Sequence, residues 1–448
     1  MSLKFHGITL SKAPTRRPVK ICIIGGGPAG LAAARVFTEC GIEFSLFDQY
    51  RNPGGQYWRH QKGEKFPASG FEETFAFKNA RWRFETTIWQ IERRYEKFDV
   101  HSIRNEKMVT ESFDTLLIAT GAIERPLPVP GWTLPGVMTA GALQSLLKGN
   151  GVIPGKKIVI AGSGPFLFPV AQSLQETISK SGSEDCEILS ILEARNLSRW
   201  WRNIMGLIFN PEKALQALGF LISLRKVGLK ISNKRAIVSI KQSDLNLKRV
   251  GIAKVIRDKV SEPESEIECD VVAMSFGFTP DLTIPSILKL LTRQVLNEEV
   301  VAVDRNQRTS VPGVWAAGEI TGIGGHDLAI CEGEIAALDI LGKSNSFKSI
   351  IAKSNRARKK IFASGINRIY RPTSDWIDWS DEDVVVCRCE EVSRDEIINS
   401  FKELGADSVR TSKLFTRAGM GMCQGRLCHR NVQDIANRFA AGSSKINR

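Results

Sequence analysis

Four cysteines crowd the C-terminal end of the chain, Cys387 and Cys389 as C-x-C and Cys423 and Cys428 as C-x4-C. The other five, Cys22, Cys40, Cys186, Cys269 and Cys331, are scattered singly and read as reduced, small apolar residues. Thiolates gathered so closely suggest a metal or cluster and not disulfides. Zinc prefers C-x2-4-C knuckles, for which C-x-C is tight. Four Cys with no His ligand suit an iron–sulfur cluster. Zinc and free thiols remain the alternatives. Gly419, Gly421 and Gly425 leave backbone N–H groups free to bond sulfide. His429 lies beside Cys428, but four thiolates already complete a set.

The second stretch with chemistry in it is Lys20 to Tyr50. Gly25, Gly27 and Gly30 stand at G-x-G-x-x-G spacing after the apolar run Ile21 to Ile24. Gly25 makes the tight turn, Gly27 lets backbone N–H groups approach a pyrophosphate, and Gly30 lets helix and strand pack closely. Pro28 and Ala29 open a helix whose N-terminus faces the phosphates. Asp48, 18 residues past Gly30, stands where an acid accepts hydrogen bonds from a ribose, and Gln49 follows it. Strand, glycines, helix, strand and acid in this order imply a dinucleotide site. The alternative is an α/β turn that tolerates glycines. Further on, Gly54-Gly55-Gln56 lets the backbone run close to a flat ligand. A buried strand ends in Ala119-Thr120-Gly121, and another delivers Gly318-Glu319.

The elements that must hold these residues repeat one plan. Residues 85–113 alternate apolar and polar side chains as a β-meander, and the apolar run after them ends at Gly121. The pattern then restarts. Residues 156–161 read as a strand, followed by Gly162-Ser163-Gly164, a helix over Val170 to Ser179, and a strand over Ile188 to Leu192 ending at Glu193. A second meander spans about residues 230–275. This duplication of βαβ, meander and glycine predicts an α/β fold with two Rossmann-like dinucleotide-binding domains. A small C-terminal α-rich [2Fe-2S] domain would follow. The expected boundaries are 1–150 for the first part of the first domain, 151–285 for the second, 286–342 for the return, 343–382 for a basic linker and 383–448 for the cysteine domain.

The second copy departs from the first. Leu167 replaces the third glycine, which narrows any phosphate pocket, although Glu193 could still take a ribose. Arg195, Arg199, Trp200, Trp201 and Arg202 read as a solvated basic edge with two packed indoles. His326 and Asp327 form an adjacent pair with no visible third partner, which reads as a capping or surface feature. From 343 to 372 there are nine Lys or Arg and no acid, including Arg371, before Asp375, Asp378, Asp381, Glu382 and Asp383 restore the balance. Such a shift marks a domain junction. Between the cysteine pairs, Glu391 to Lys413 reads as mostly helical.

The bulk numbers exclude more than they identify. A chain of 448 residues has room for two to four domains, and its net charge of +14 favours acidic partners without naming one. No apolar run approaches the ~18 residues of a membrane span. The first residues, with Lys4, Lys12, Arg16 and Arg17, lack the apolar core of a secretory signal. No motif supports nucleic-acid binding. No residue is assigned a catalytic role, because no Ser-His-Asp set or carboxylate pair stands out, and the half with the first glycine loop has no C-x-x-C.

VCRCEEV and TRAGMGMCQGRLC resemble the bacterioferritin-associated-ferredoxin-like [2Fe-2S] domain, whose four ligands fall on Cys387, Cys389, Cys423 and Cys428. GGGPAG, PGGQ, ATGAIERPLPVPGWTLPGVMTAGALQ, AGSGPFLFPVA and AAGEITGIGG resemble the α subunits of heteromeric flavin-dependent amine dehydrogenases and oxidases. Octopine and nopaline oxidases, D-hydroxyproline dehydrogenase and the middle subunit of hydrogen cyanide synthase are of this kind. The resemblance implies an electron-transfer subunit, with FAD at the first glycine loop; NAD or ATP takes that place in some relatives. It also implies a [2Fe-2S] cluster, an FMN at a subunit interface in some members, and a partner subunit of D-amino-acid-oxidase type holding its own FAD. Electrons would pass on to an acceptor protein or quinone. A cytoplasmic location is expected, with peripheral attachment at the inner face of the membrane as a variant. Where related flavoproteins carry Gly-Asp, this chain has Gly318-Glu319. The alternative function is a self-sufficient NADH-dependent flavin and [2Fe-2S] reductase using Glu193.

Overall fold

The apolar run Ile21–Ile24 is buried along its whole length, as a central strand of a parallel sheet must be. In the computed structural model it pairs with Phe44–Phe47 on one side and Thr115–Ile118 on the other. Ala80–Arg83 and Val314–Ala316 complete the five-stranded sheet at its two edges. The described residues are 19–183, 185–226, 228–229, 231–244, 246–296, 298–370, 374–379 and 383–440. Lys4, Lys12, Arg16 and Arg17, with Arg371, Asp381 and Glu382 of the charge junction, lie outside them.

A second parallel sheet repeats the arrangement. Its order is Ile231–Asn233, Glu187–Glu193, Lys157–Gly162, Val271–Ser275 and Val137–Thr139. Each half carries its own antiparallel meander, one from Thr87 to Phe113 and one from Arg235 to Cys269. The return strand Val314–Ala316 brings the chain back to the first sheet, so the fold is the duplicated α/β architecture that the repeat implies. A short antiparallel pair, Ala122–Glu124 with Phe278–Pro280, joins the halves. The expected helix after Gly164 is longer than its apolar core, running Leu167–Ser181.

Two expectations about charged stretches change. Most of the basic stretch read as linker is a single helix, Phe347–Ile369, N-capped by the Ser346 side chain. Two of its positive charges are matched across helices: Lys348 pairs with Glu39, and Lys359 reaches Glu212 at 2.7 Å. The stretch Arg199 to Arg202 lies in a 3-10 turn with one indole packed and the other not. Trp200 Nε1 donates to Tyr370 Oη at 2.7 Å, while Trp201 is 69% exposed.

The C-terminal domain is a small hairpin, Val385–Cys387 with Val392–Ser393, and three helices, Arg394–Lys402, Val409–Thr416 and His429–Phe439. The stretch 391–413 is thus two helices with a break, each opened by a capping box, Ser393 with Glu396 and Ser408 with Thr411. The last helix docks on the body through buried charge. Arg125 pairs with Asp434 and donates from Nε to Asn431 Oδ1 at 3.2 Å. Trp376 Nε1 donates to Asp434 at 3.0 Å, and Arg430 pairs with Glu298 at 2.9 Å. Asn431 Nδ2 donates to the Pro126 carbonyl at 3.0 Å. Asp434→Ala strands the Arg125 guanidinium, a loss of about 3–5 kcal/mol for a buried pair. Equilibrium denaturation should register it, and limited proteolysis should free the C-terminal domain more readily. A variant as stable and as resistant as the parent would place the docking energy elsewhere.

Candidate functional site

The first glycine loop is set by contacts that admit no side chain. Gly25 has φ +108°, and a Cβ there would lie 2.2 Å from the Ala119 carbonyl oxygen. A Cβ on Gly30 would lie 1.9 Å from the Gly25 carbonyl oxygen, so helix Pro28–Glu39 sits on the strand with no side chain between. At Gly27 nothing lies within 4 Å of such a Cβ. That position is open to a ligand, not to the protein. Gly55, at φ +58°, closes against the Gly27 backbone. Most candidates for the first nucleotide site line one cleft, Gly25, Gly27, Pro28, Ala29, Asp48, Gln49, Gly55, Gln56, Ala119, Thr120, Gly121, Gly318 and Glu319, while Gly30, Gly54 and the second half's Glu193 do not. Gly30 lies beneath it, where its packing role requires.

The acids behave differently from the simplest expectation. Asp48 Oδ2 accepts from Gly26 N–H at 2.6 Å and Oδ1 from Tyr50 N–H at 2.7 Å. Its carboxylate braces the loop as well as lining the cleft. Burial raises its pKa, with the Tyr50 and Gly26 N–H groups pulling it down. Glu193 occupies the same position in the second half. It accepts from Gly164 N–H at 3.0 Å and Arg195 N–H at 2.8 Å, and it is fully buried. It is therefore not presented to a ribose, contrary to the expectation. Burial pushes Glu193 up to about 7 against those same N–H groups. Glu319 is also pushed up to about 7 by burial, opposed by the N–H groups of Gly325 and Gly324. Its Oε1 accepts from them at 2.7 and 3.3 Å, so this longer acid turns toward its own glycine turn.

The pair His326 and Asp327 has the partners the sequence did not show. The His326 ring stacks on Tyr57 with centroids 3.9 Å apart, and its Nε2 lies 3.1 Å from Asp327. Lys213 approaches Asp327 at 2.7 Å. Burial works against the charge on Asp327, but His326 and Lys213 hold it well below the usual carboxylate range. Tyr57, Lys213 and His326 all line the cleft. The one available signal was Tyr57, an aromatic directly after Gly54-Gly55-Gln56.

At the far end the four thiols meet as two pairs. Cys389 and Cys423 are hydrogen-bond neighbours, and so are Cys387 and Cys428. Gly419 N–H donates to Cys387 Sγ at 3.4 Å, and a Cβ on Gly421 would lie 2.4 Å from the Cys389 Cβ. Burial opposes ionisation of Cys423, yet the N–H groups of Leu427, Gly425 and Arg426 and the Cys389 thiol bring its pKa below the usual thiol value. Burial and the neighbouring Cys387 push Cys428 up. Among the described residues no three His, Cys, Asp or Glu side chains converge as a single-ion site requires. Thiols gathered as two pairs, with backbone donors aimed at sulfur, suit a two-iron centre better than one zinc. Cys423 also lines the cleft that holds the first glycine loop, together with Arg426 and Leu427.

The family profile described as "Pyridine nucleotide-disulphide oxidoreductase" matches residues 19–199 and 216–337, more than half of the chain. The chain belongs to that oxidoreductase family. A "BFD-like [2Fe-2S] binding domain" matches residues 385–438. The A subunit of opine oxidase from Rhizobium meliloti (strain 1021) is 31% identical over 438 residues, covering 92% of this chain and 91% of that one. The HcnB subunit of hydrogen cyanide synthase from Pseudomonas aeruginosa is 31% identical over 435 residues, covering 92% and 90%. The resemblance read from the motifs is thereby borne out. The fold is shared with L-proline dehydrogenase from P. horikoshii, with a TM-score of 0.66 at 20% identity over 96% of this chain and 76% of that one. As a pyridine nucleotide-disulphide oxidoreductase with a BFD-like domain, the protein has the two cofactor classes expected of it, FAD or NAD and [2Fe-2S].

Two glycines separate ligand binding from folding. Gly27→Ala meets no protein atom, so the variant should fold normally and lose most bound nucleotide, read by cofactor extraction. Gly30→Ala should lower the thermal midpoint as well. Equal nucleotide content in Gly27→Ala and parent would remove the phosphates from this loop. The raised carboxyls set a pH trend. A carboxyl at about 7 in the fold and near 4.5 unfolded contributes stability below 4.5 that is lost as pH rises through 7. Denaturation midpoints should fall across that window, and Glu193→Gln should flatten the fall; an unchanged slope would assign it to other groups.

Proposed function

We propose that this chain is the electron-transfer subunit of a hetero-oligomeric oxidoreductase acting on C–N bonds of amino or imino acids or opine-like secondary amines. Its electrons come from a partner flavoprotein subunit of D-amino-acid-oxidase type. The observation that carries this reading is one cleft, about 1860 Å³ in volume, walled by both the first glycine loop and Cys423. That volume exceeds the ~300–1,000 Å³ of an ordinary ligand pocket. It leaves room for a dinucleotide and a continuous approach to the four-cysteine centre.

A flavin in the glycine loop supplies two-electron capacity and a [2Fe-2S] centre supplies one-electron delivery. The chain's own residues bind and orient. Gly25, Gly27, Gly55 and the N-terminus of helix Pro28–Glu39 cradle phosphates, and Asp48 holds the loop in shape. Cys387, Cys389, Cys423 and Cys428 grip the irons. The domains follow the repeat, with 1–150 and 286–342 forming the flavin body, 151–285 the second nucleotide-type domain and 383–448 the cluster domain. The relatives are named as subunits of opine oxidase and of hydrogen cyanide synthase, which supports a place in a multi-subunit oxidase. Among the described residues no helix is long and apolar enough to cross a membrane.

The rival reading, a self-sufficient NADH-dependent reductase, draws on Gly164, where nothing lies within 4 Å of an added Cβ. The engaged Glu193 and the buried Leu167 weigh against it. Anaerobic addition of NADH to the purified, cofactor-loaded chain separates the two. The expected result is no bleaching of the flavin by NADH, with bleaching once the co-purified flavoprotein partner is supplied together with its amine substrate. Fast bleaching by NADH alone would overturn the subunit reading.

A further inference from the structure

The cluster domain shows solvent a face that its own packing does not explain. Leu414 is 66% exposed, Phe415 53%, Met420 39% and Met422 91%. Four large exposed apolar side chains within nine residues, two at the end of helix Val409–Thr416 and two in the loop after it, are more than the scattered surface hydrophobes of an ordinary domain. Methionines, flexible and polarisable, are frequent on surfaces that receive a partner.

Around this face basic side chains outnumber the acid beside it, Glu390, whose carboxylate lies next to Gly421. From Val409 to Cys428 the chain carries Arg410, Lys413, Arg417 and Arg426 and no acid. Arg417 pairs with Glu390 at 2.8 Å. Among the described residues Arg410 and Lys413 enter no salt bridge, and they flank Leu414 and Phe415 on helix Val409–Thr416.

The face also has a definite relation to the proposed relay. Cys423 lines the cleft that carries the nucleotide loop, and Met422, its chain neighbour, is 91% exposed, more than Leu414, Phe415 or Met420. One peptide bond separates the inner surface from the outer one. Electrons arriving from the flavin side already reach the centre through the cleft. A second, outward opening is superfluous for input and suits output.

We propose that Leu414, Phe415, Met420 and Met422, with Arg410 and Lys413, form the docking port for an acidic one-electron carrier protein. The inference rests on the electron-transfer reading above. In each encounter the reduced centre loses one electron and the carrier gains it, with no bond made or broken and no proton moved. The apolar patch supplies contact, and the basic rim steers an acidic carrier. A neutral quinone has no charge for that rim to steer.

The test uses the full-length, iron-loaded chain, reduced anaerobically and freed of excess reductant. The probes are flavodoxin as an acidic protein acceptor, cytochrome c as a basic one and benzoquinone as a small neutral one. Fluorescence anisotropy of labelled flavodoxin should show binding that weakens as salt screens the rim. The double variant Arg410→Glu, Lys413→Glu should bind flavodoxin about tenfold more weakly and be oxidised by it about tenfold more slowly, the scale of electrostatic steering. Leu414→Asp should weaken binding too. Iron content and oxidation by benzoquinone should stay at parental values in both. Salt-insensitive flavodoxin binding, equal rates with flavodoxin and cytochrome c, or variants that lose the flavoprotein partner on co-purification would overturn the port while leaving the relay standing. A parent chain that holds iron but cannot be oxidised by benzoquinone would instead bring down the electron-transfer reading, and the port with it.

Discussion

A backbone contact decides where everything else can stand. The Gly30 Cα approaches the Gly25 carbonyl so closely that no methyl group fits between them. The helix Pro28–Glu39 therefore begins one residue after Gly27 and points its first N–H groups along the loop. The same economy of side chains brings in the neighbouring helix, His326–Ile340. A Cβ on its Gly333 would lie 2.0 Å from the Ala29 carbonyl oxygen. With Ala32, Ala33 and Ala34 fully buried, the layer above the first sheet is thin, and Gly318 and Glu319 reach the same cleft. In the second half Leu167 stands in place of the close glycine, and the helix there begins at Leu167, further from its loop. The duplicated fold thus holds two unequal copies of one strand, glycine-loop and helix unit.

The carboxylates show how one repeated pattern can serve two ends. Asp48 and Glu193 each accept two backbone N–H groups, one from the glycine loop and one from two residues downstream. In the first half the acid still borders open space. In the second it is sealed, and burial holds it near 7. A sequence pattern records the acid's position but not which of its lone pairs remain unoccupied.

Periodicity and glycine spacing made the α/β layers, both meanders and the restart at Lys156 legible, because each depends on local rules. The cysteine spacing showed the metal-type chemistry for the same reason. What escaped was set by contacts distant in sequence. Lys213 reaches Asp327 across more than a hundred residues, and Tyr57 stacks on His326 from farther still. The basic stretch looked like a linker because its partners, Glu39, Glu212 and Asp327, lie in other helices. Trp200 and Trp201 are neighbours in sequence, but a 3-10 turn sends one to Tyr370 and the other to solvent.

The paired strands Ala122–Glu124 and Phe278–Pro280 would by themselves form a natural hinge, two short threads between two rigid sheets. Arg125 follows directly on the first thread and is held by Asp434 and Asn431, while Arg430 on the same helix grips Glu298 in the body. Trp379, just before the cluster domain, donates to the Asp258 carbonyl of the second half at 3.1 Å. The cluster domain is thereby tied to both halves of the body. Electron tunnelling falls off exponentially with separation, so in the relay proposed above these ties would keep the distance between nucleotide and sulfur ligands short and constant, where a swinging domain would make the hop intermittent.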